Sequence, residues 1–158
     1  MTEFAPDEGH TSRRRLLVGV AGAISCVVLR PAQAAAGDLE VAIANYTSRA
    51  TIKPGKVKID IAELVDNGNV VPLTVSVESP MTPDNHVKTI AIFNEKNPQR
   101  DVARFTLGPR YGRADVTTRI RLATSQKLVA VAQMSDGSYW SHTVDVIVTL
   151  AACIEGEA

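Results

Sequence analysis

The chain has 158 residues, with 17 basic and 17 acidic side chains, and 45 % of its residues are apolar. This composition is sufficient for one domain with a buried core and argues against a disordered chain. Because the formal net charge is zero, the sequence lacks the excess of basic residues that nucleic-acid-binding proteins carry, and we predict no nucleic-acid partner. Two cysteines are too few for a multi-disulfide scaffold.

The first 34 residues have the layout of an export signal. Arg13 and Arg14 precede an apolar run over residues 16–29, and Ala32-Gln33-Ala34 supplies small residues for cleavage. The run is shorter than the roughly 18 residues that cross a bilayer, which disfavours a membrane anchor. The paired arginines beside a Gly-containing apolar segment favour the twin-arginine route. We therefore predict a twin-arginine signal peptide over residues 1–34, a periplasmic location and no membrane anchor after cleavage.

Cleavage after Ala34 would remove Cys26 and leave Cys153 as the single cysteine of the mature chain. The net charge would change only to about −1, because the removed segment holds four basic and three acidic residues. In an oxidising compartment, one unpaired cysteine indicates a working thiol or an intermolecular disulfide. The residue pattern leaves both readings open.

The mature chain begins with a short helical pattern and continues with strands. Apolar residues at three- and four-residue spacing predict a helix over residues 38–46. A turn is predicted over residues 53–56 and another over 66–69. Alternating or apolar runs predict about seven strands, near residues 57–61, 73–78, 87–93, 102–107, 116–122, 128–134 and 139–150. Regular spacing without long intervening helices predicts an all-β, immunoglobulin-like antiparallel β-sandwich.

The predicted sheet ends near Leu150, so Cys153 lies on a short terminal tail beyond it. A thiol in that position has access and reach, and it could form a disulfide or persulfide in another protein's active site. A blue-copper site is the metal alternative for a β-sandwich with Cys, His and Met. It is disfavoured because no ligand follows Cys153, and His86, His142 and Met134 are scattered. We predict no metal, no cofactor and no catalytic residue.

Six segments of the mature chain carry a family resemblance: residues 67–69, 71–81, 92–98, 102–105, 107–110 and 135–140. Together they resemble the SoxY family, the sulfur-carrier proteins of bacterial thiosulfate oxidation. The resemblance covers roughly residues 53–153 and includes the twin-arginine signal and the near-terminal cysteine.

The resemblance implies an immunoglobulin-like carrier domain over residues 35–150 and a carrier tail over residues 151–158. It implies a non-catalytic protein that pairs with a SoxZ-like β-sandwich subunit and carries sulfur covalently on Cys153. A haem c enzyme would couple thiosulfate to that cysteine, a manganese hydrolase would release sulfate, and a sulfane dehydrogenase would act on the remaining persulfide. A plain interaction subunit, whose cysteine is structural, is the rival reading.

The tail departs from the family pattern. The best-known members end in Gly-Gly-Cys-Gly-Gly, whereas this chain has Ala-Ala-Cys-Ile-Glu over residues 151–155. Alanine has less conformational freedom than glycine, so we expect a stiffer arm. A divergent carrier that serves other sulfur chemistry is therefore the second alternative.

Overall fold

The computed structural model describes residues 34–150, with side-chain environments from Gly37 to Thr149. The chain forms one helix, nine strands and a short 3-10 helix in this range. In chain order these are α1 (Ala34–Thr47), β1 (Ile52–Pro54), β2 (Val57–Asp60), β3 (Leu64–Asn67), β4 (Val71–Val77), β5 (Val87–Asn94), β6 (Asp101–Thr106), the 3-10 helix (Pro109–Tyr111), β7 (Ala114–Ile120), β8 (Gln126–Met134) and β9 (Tyr139–Leu150).

The strands form two sheets, as the predicted immunoglobulin-like sandwich requires. The larger sheet has the order β1-β9-β8-β5-β6, with β3 also paired to β9, and the smaller sheet has the order β2-β4-β7. Neighbours are antiparallel except β1 and β3, which both run parallel to β9. No helix in the described part of the chain is long and apolar enough to cross a membrane.

The core lies between the sheets, and the period of two in the sequence builds it. Strand β4 alternates buried and more accessible residues along its whole length, and β2 repeats the pattern. Val75, Ile90 and Leu128 are fully buried in this layer. Truncating such a side chain to alanine costs about 2–5 kcal/mol for Leu or Ile, so this layer fixes the strand register.

Helix α1 covers the outer face of the larger sheet, where a second apolar cluster forms. Leu39 and Tyr46 pack there against Phe93, and the Tyr46 ring lies 5.7 Å from the Phe93 ring. The Tyr46 hydroxyl shares a 2.5 Å hydrogen bond with the Thr89 hydroxyl. Burial raises the pKa of Tyr46 above its ordinary value. The predicted helix is confirmed and extends four residues further toward the N-terminus.

All seven predicted strands are present, but two turn predictions were partly wrong. Lys53 and Pro54 lie in β1, and Asp66 and Asn67 lie in β3. Both strands pair only with β9, which begins more than 70 residues later, so local pattern did not reveal them. Pro54 is tolerated because β1 is an edge strand, where a missing N–H disrupts no ladder.

Candidate functional site

The residues with predicted functional roles, the two signal arginines and the carrier cysteine, lie outside the part of the chain that the structure describes. Arg13 and Arg14 fall in residues 1–33, and Cys153 falls in residues 151–158. The structure does describe the point from which the carrier tail leaves the domain. This point is the end of β9 at Leu150, three residues before Cys153.

Strand β9 is held on both sides near its end. Asn67 of β3 is in register with Leu150, and the Thr149 hydroxyl donates to the Asp66 carbonyl at 3.1 Å. On the other side, Val148 donates its N–H to the Ser125 hydroxyl at 2.9 Å. A strand bonded from two sides cannot shift along its neighbours without losing these bonds together. The base of the tail therefore has a fixed position.

A hydrogen-bonded network holds the loops around this strand end, and Asn97 and Gln126 are its central members. Gln126 accepts from the Lys96 N–H at 2.8 Å and donates to the Asn97 side-chain carbonyl at 2.8 Å. Asn97 also donates to the Arg121 carbonyl at 2.7 Å and accepts from the Ala123 N–H at 3.0 Å. We call Asn97, Gln126 and their partners the tail-base network. It joins the β5–β6 loop to the β7–β8 loop.

Two further contacts extend the tail-base network. Leu122 donates its N–H to the Gly68 carbonyl at 2.8 Å, which ties the β7–β8 loop to the β3–β4 turn. Arg100 bonds to the Asn97 carbonyl and forms an ion pair with Asp38 of α1 at 3.3 Å. Three loops and the first turns of α1 are thus coupled at the end from which the tail leaves.

Gln126 was not predicted as a site residue, although the sequence contains a signal for it. Residues 128, 130, 132 and 134 of β8 face the core, so residue 126 faces it as well. A glutamine in an inward register needs hydrogen-bond partners. Asn97 lay inside a segment that carried the family resemblance, but its partners are 24 and 26 residues away in sequence.

The two histidines considered for a copper site make separate structural contacts. His86 places Nδ1 3.1 Å from the Thr82 and Pro83 carbonyls, in the loop before β5. His142 accepts the Ile59 N–H on Nδ1 at 3.2 Å, which links β9 to β2 of the other sheet. Met134 is buried in the core. Within residues 34–150, the structure contains no group of three or more His, Cys, Asp or Glu residues that could hold a metal.

The start of β9 lies at the end of the strand opposite the tail, and charged and aromatic side chains surround it. Lys56 and Lys53 place their ammonium groups 4.6 and 5.5 Å from the Trp140 ring centre. The Trp140 N–H donates to the Ser138 hydroxyl at 3.1 Å. Hydrogen bonds from the Ser138 hydroxyl and backbone N–H lower the pKa of Asp136.

Comparison with known proteins identifies the family. The profile of the family described as sulfur oxidation protein SoxY matches residues 43–153, a range that ends on the cysteine of the tail. The chain belongs to the SoxY family. The structure of the sulfur carrier protein SoxY from Chlorobium limicola f thiosulfatophilum is similar, with a TM-score of 0.62 and 31 % sequence identity. The match covers 73 % of this chain and 99 % of that protein.

More distant structures share the fold alone. A superoxide reductase (neelaredoxin) variant from Ignicoccus hospitalis superimposes with a TM-score of 0.53 at 23 % identity, over 65 % of this chain and 85 % of that one. A structure from Thermotoga maritima, described as a putative superoxide reductase, gives 0.52 at 23 % identity over 61 % and 93 %. None of the curated proteins compared with the chain matches it. The SoxY match supports a carrier role in sulfur oxidation.

Proposed function

We propose that this SoxY-family chain is a periplasmic carrier that holds sulfur intermediates covalently on the Cys153 thiol. The observation that supports this proposal most is that the family match extends to Cys153, directly after a strand end held on both sides. A carrier needs a reactive atom on a short arm and a fixed base from which the arm projects. The tail-base network supplies such a base.

The proposed loading step forms one sulfur–sulfur bond. The Cys153 thiolate joins the outer sulfur of thiosulfate to give Cys–S–S–SO3⁻, and two electrons leave to an acceptor of the haem class. Hydrolysis of the terminal sulfur–sulfur bond then consumes one water, releases sulfate and two protons, and leaves the persulfide Cys–S–S⁻. Both steps require partner enzymes, so the carrier itself holds and presents the intermediate.

Covalent geometry limits where the thiol can go. Cys153 is the third residue after Leu150, and a fully extended chain spans at most about 3.6 Å per residue. Partner enzymes must therefore approach the end of the sandwich that holds the tail-base network. The alanines at positions 151 and 152 favour a stiffer arm than a glycine-rich tail. This composition supports the narrower alternative of a divergent carrier with a restricted set of enzymes.

Location and partners complete the proposal. Arg13 and Arg14 would direct twin-arginine export, after which residues 35–158 act in the periplasm. By family resemblance, the stable partner would be a SoxZ-like β-sandwich subunit. The transient partners would be a haem c coupling enzyme, a manganese hydrolase and a sulfane dehydrogenase.

Intact mass spectrometry of the exported protein tests the proposal. Protein from thiosulfate-grown cells is measured with and without reductant, beside a Cys153→Ser variant. We expect masses raised by one sulfur atom or one thiosulfate unit, lost on reduction and missing in the variant. A free thiol under every growth condition would refute the carrier. Thiosulfate-dependent respiration that survives Cys153→Ser would favour the interaction-subunit reading instead.

A further inference from the structure

An interruption in the pairing of β9 leaves part of its edge open. On the side away from β8, β1 pairs with Tyr139–Ser141 and β3 begins its pairing at Ile147. The chain leaves this sheet between those points, because β2 joins the smaller sheet. Residues 142–146 of β9 therefore have no backbone-paired strand on that side within the described part of the chain, although the Ile59 N–H of β2 reaches the His142 ring from the other sheet.

Backbone hydrogen-bonding groups point into this opening. Ile147 directs its N–H to the Glu63 carbonyl on this side at 2.8 Å. Alternate residues of a strand direct their N–H and C=O groups to the same side, so Thr143 and Asp145 face the opening. No backbone partner on this side is found for either residue within residues 34–150. An unpaired edge of this kind is a template for an added strand.

The opening is a groove with a mixed lining and a volume of about 580 Å³. Ile59, Ile61, Val144 and Ile147 supply its apolar part, and Glu63, His142, Thr143 and Asp145 supply its polar part. Leu64 and Ile147 are in register beside it, and they are 59 % and 58 % exposed. Large apolar side chains this accessible and adjacent mark an interaction surface more often than scattered single residues do.

The acidic side chains of the groove favour a cationic occupant. Glu63 and Asp145 line it, and no lysine or arginine is among its lining residues in the described structure. Lys127 lies opposite Asp145 in the register of β8 and β9, but no salt bridge joins them in the described structure, and none involves Glu63 there. The tail of this chain carries Glu155 and Glu157, so like charges oppose its binding in the groove.

We propose that this groove binds a short extended segment of a partner protein, with apolar residues alternating with lysine or arginine. The segment would add to β9 through the backbone of Thr143 and Asp145 and place its cations near Glu63 and Asp145. Because β1 and β3 close both ends, the segment must be a chain end or a loop tip. Strand β9 continues from the groove to the tail, so the partner would sit beside the base of the carrier arm.

Amide chemical shifts of the mature chain test this inference without any sulfur chemistry. The probe is a capped peptide, Val-Lys-Val-Lys-Val, with Val-Glu-Val-Glu-Val and a backbone N-methylated Val-Lys-Val-Lys-Val as controls. We expect saturable shifts at Thr143, Asp145 and Ile61, with a dissociation constant of about 1 mM or tighter. Both control peptides should leave these amides unchanged. Shifts located elsewhere, or equal shifts with the N-methylated peptide, would overturn the proposal.

Charge-reversal variants supply the matched comparison. Glu63→Lys with Asp145→Lys should weaken binding of the lysine peptide at least about fivefold. Glu40→Lys with Glu78→Lys makes the same charge change at exposed positions outside the groove lining and should have no effect. Equal weakening by both pairs would show non-specific attraction and reject the groove.

Two other occupants are distinguishable in the same measurements. If the tail filled the groove, deleting residues 151–158 would shift the groove amides and strengthen peptide binding. If a second copy filled it, those amides would shift with protein concentration before any peptide is added. Either result contradicts the proposal.

Discussion

The two ends of β9 differ in chemistry although they belong to one strand. At its start, Trp140 lies beneath Lys53 and Lys56, and the local interactions are cation–aromatic contacts at the surface. At its end, Asn97 and Gln126 bind backbone groups of two loops through short neutral hydrogen bonds. The two ammonium groups that contact Trp140 thus lie at the end of β9 opposite the tail. At the tail end, side-chain amides hold the loops in place by hydrogen bonds.

The largest effect is expected from Gln126→Leu. Leucine keeps much of the side-chain volume but leaves the Lys96 N–H and the Thr124 carbonyl without their partner. Gln126 is only 5 % exposed, whereas Lys96 and Thr124 are exposed, so each lost hydrogen bond is expected to cost about 0.5–1.5 kcal/mol. We expect a clear fall in the free energy of unfolding, measured by urea denaturation. A change below about 0.5 kcal/mol would contradict a central role for Gln126.

Gln126→Leu should also affect function, and this effect distinguishes the tail end of β9 from its start. Loosened loops should slow the loading of Cys153 by partner enzymes at temperatures where the variant remains folded. Thr117→Ala on the smaller sheet is a control, because it removes one exposed hydrogen bond to Thr74 that takes no part in the tail-base network. Equal loading rates for both variants would show that the tail-base network has no role in the loading of Cys153.

Trp140→Phe tests the start of β9 and should have a smaller effect. Phenylalanine keeps an aromatic face for Lys56 but loses the hydrogen bond to the Ser138 hydroxyl. We expect a loss of about 1 kcal/mol or less in stability and no change in sulfur loading. A loading defect as large as that of Gln126→Leu would show that the two ends are not functionally distinct.

The smallest effect concerns pH and α1. Burial raises the pKa of Tyr46 above its ordinary value of 10.0, so the folded state holds the proton more tightly than the unfolded state. The resulting stabilisation is complete below about pH 10 and is lost as the pH rises through the folded-state pKa. Tyr46→Phe should remove this alkaline dependence and the hydrogen bond to Thr89. The test compares the unfolding free energies of Tyr46→Phe and wild type from about pH 8 to about pH 11, a range that includes the ordinary tyrosine pKa.

The sequence predicted well those elements whose own residues show a periodic pattern of apolar side chains. Alternation predicted β4 and β9, and the spacing of Leu39, Ile43 and Tyr46 predicted α1. Strand β3 has no alternation of burial, and β1 contains a proline, so neither has a local signature. Their pairing with β9 defines them, and that contact spans a large separation in sequence.

In the candidate site, too, one part could be predicted from the sequence and another could not. Cys153 could be singled out because one thiol near a chain end is conspicuous in composition alone. The network around the tail base could not, because Asn97 joins carbonyl and N–H groups of residues 121 and 123 only after the loops have folded together. A hydrogen bond to a backbone group does not depend on the type of the residue that supplies the group. The inward position of Gln126 in β8 was therefore the only sequence signal for the tail-base network.

The most direct test of the account is the mass of the tail peptide. The exported protein is taken from thiosulfate-grown cells, cleaved without reduction after Arg121 and Lys127, and the C-terminal fragment is sequenced by fragmentation. The account predicts an added sulfur or thiosulfate unit located on Cys153 and removed by reductant. A fragment whose Cys153 is always a free thiol, or is joined only to another protein by a stable disulfide, would contradict it.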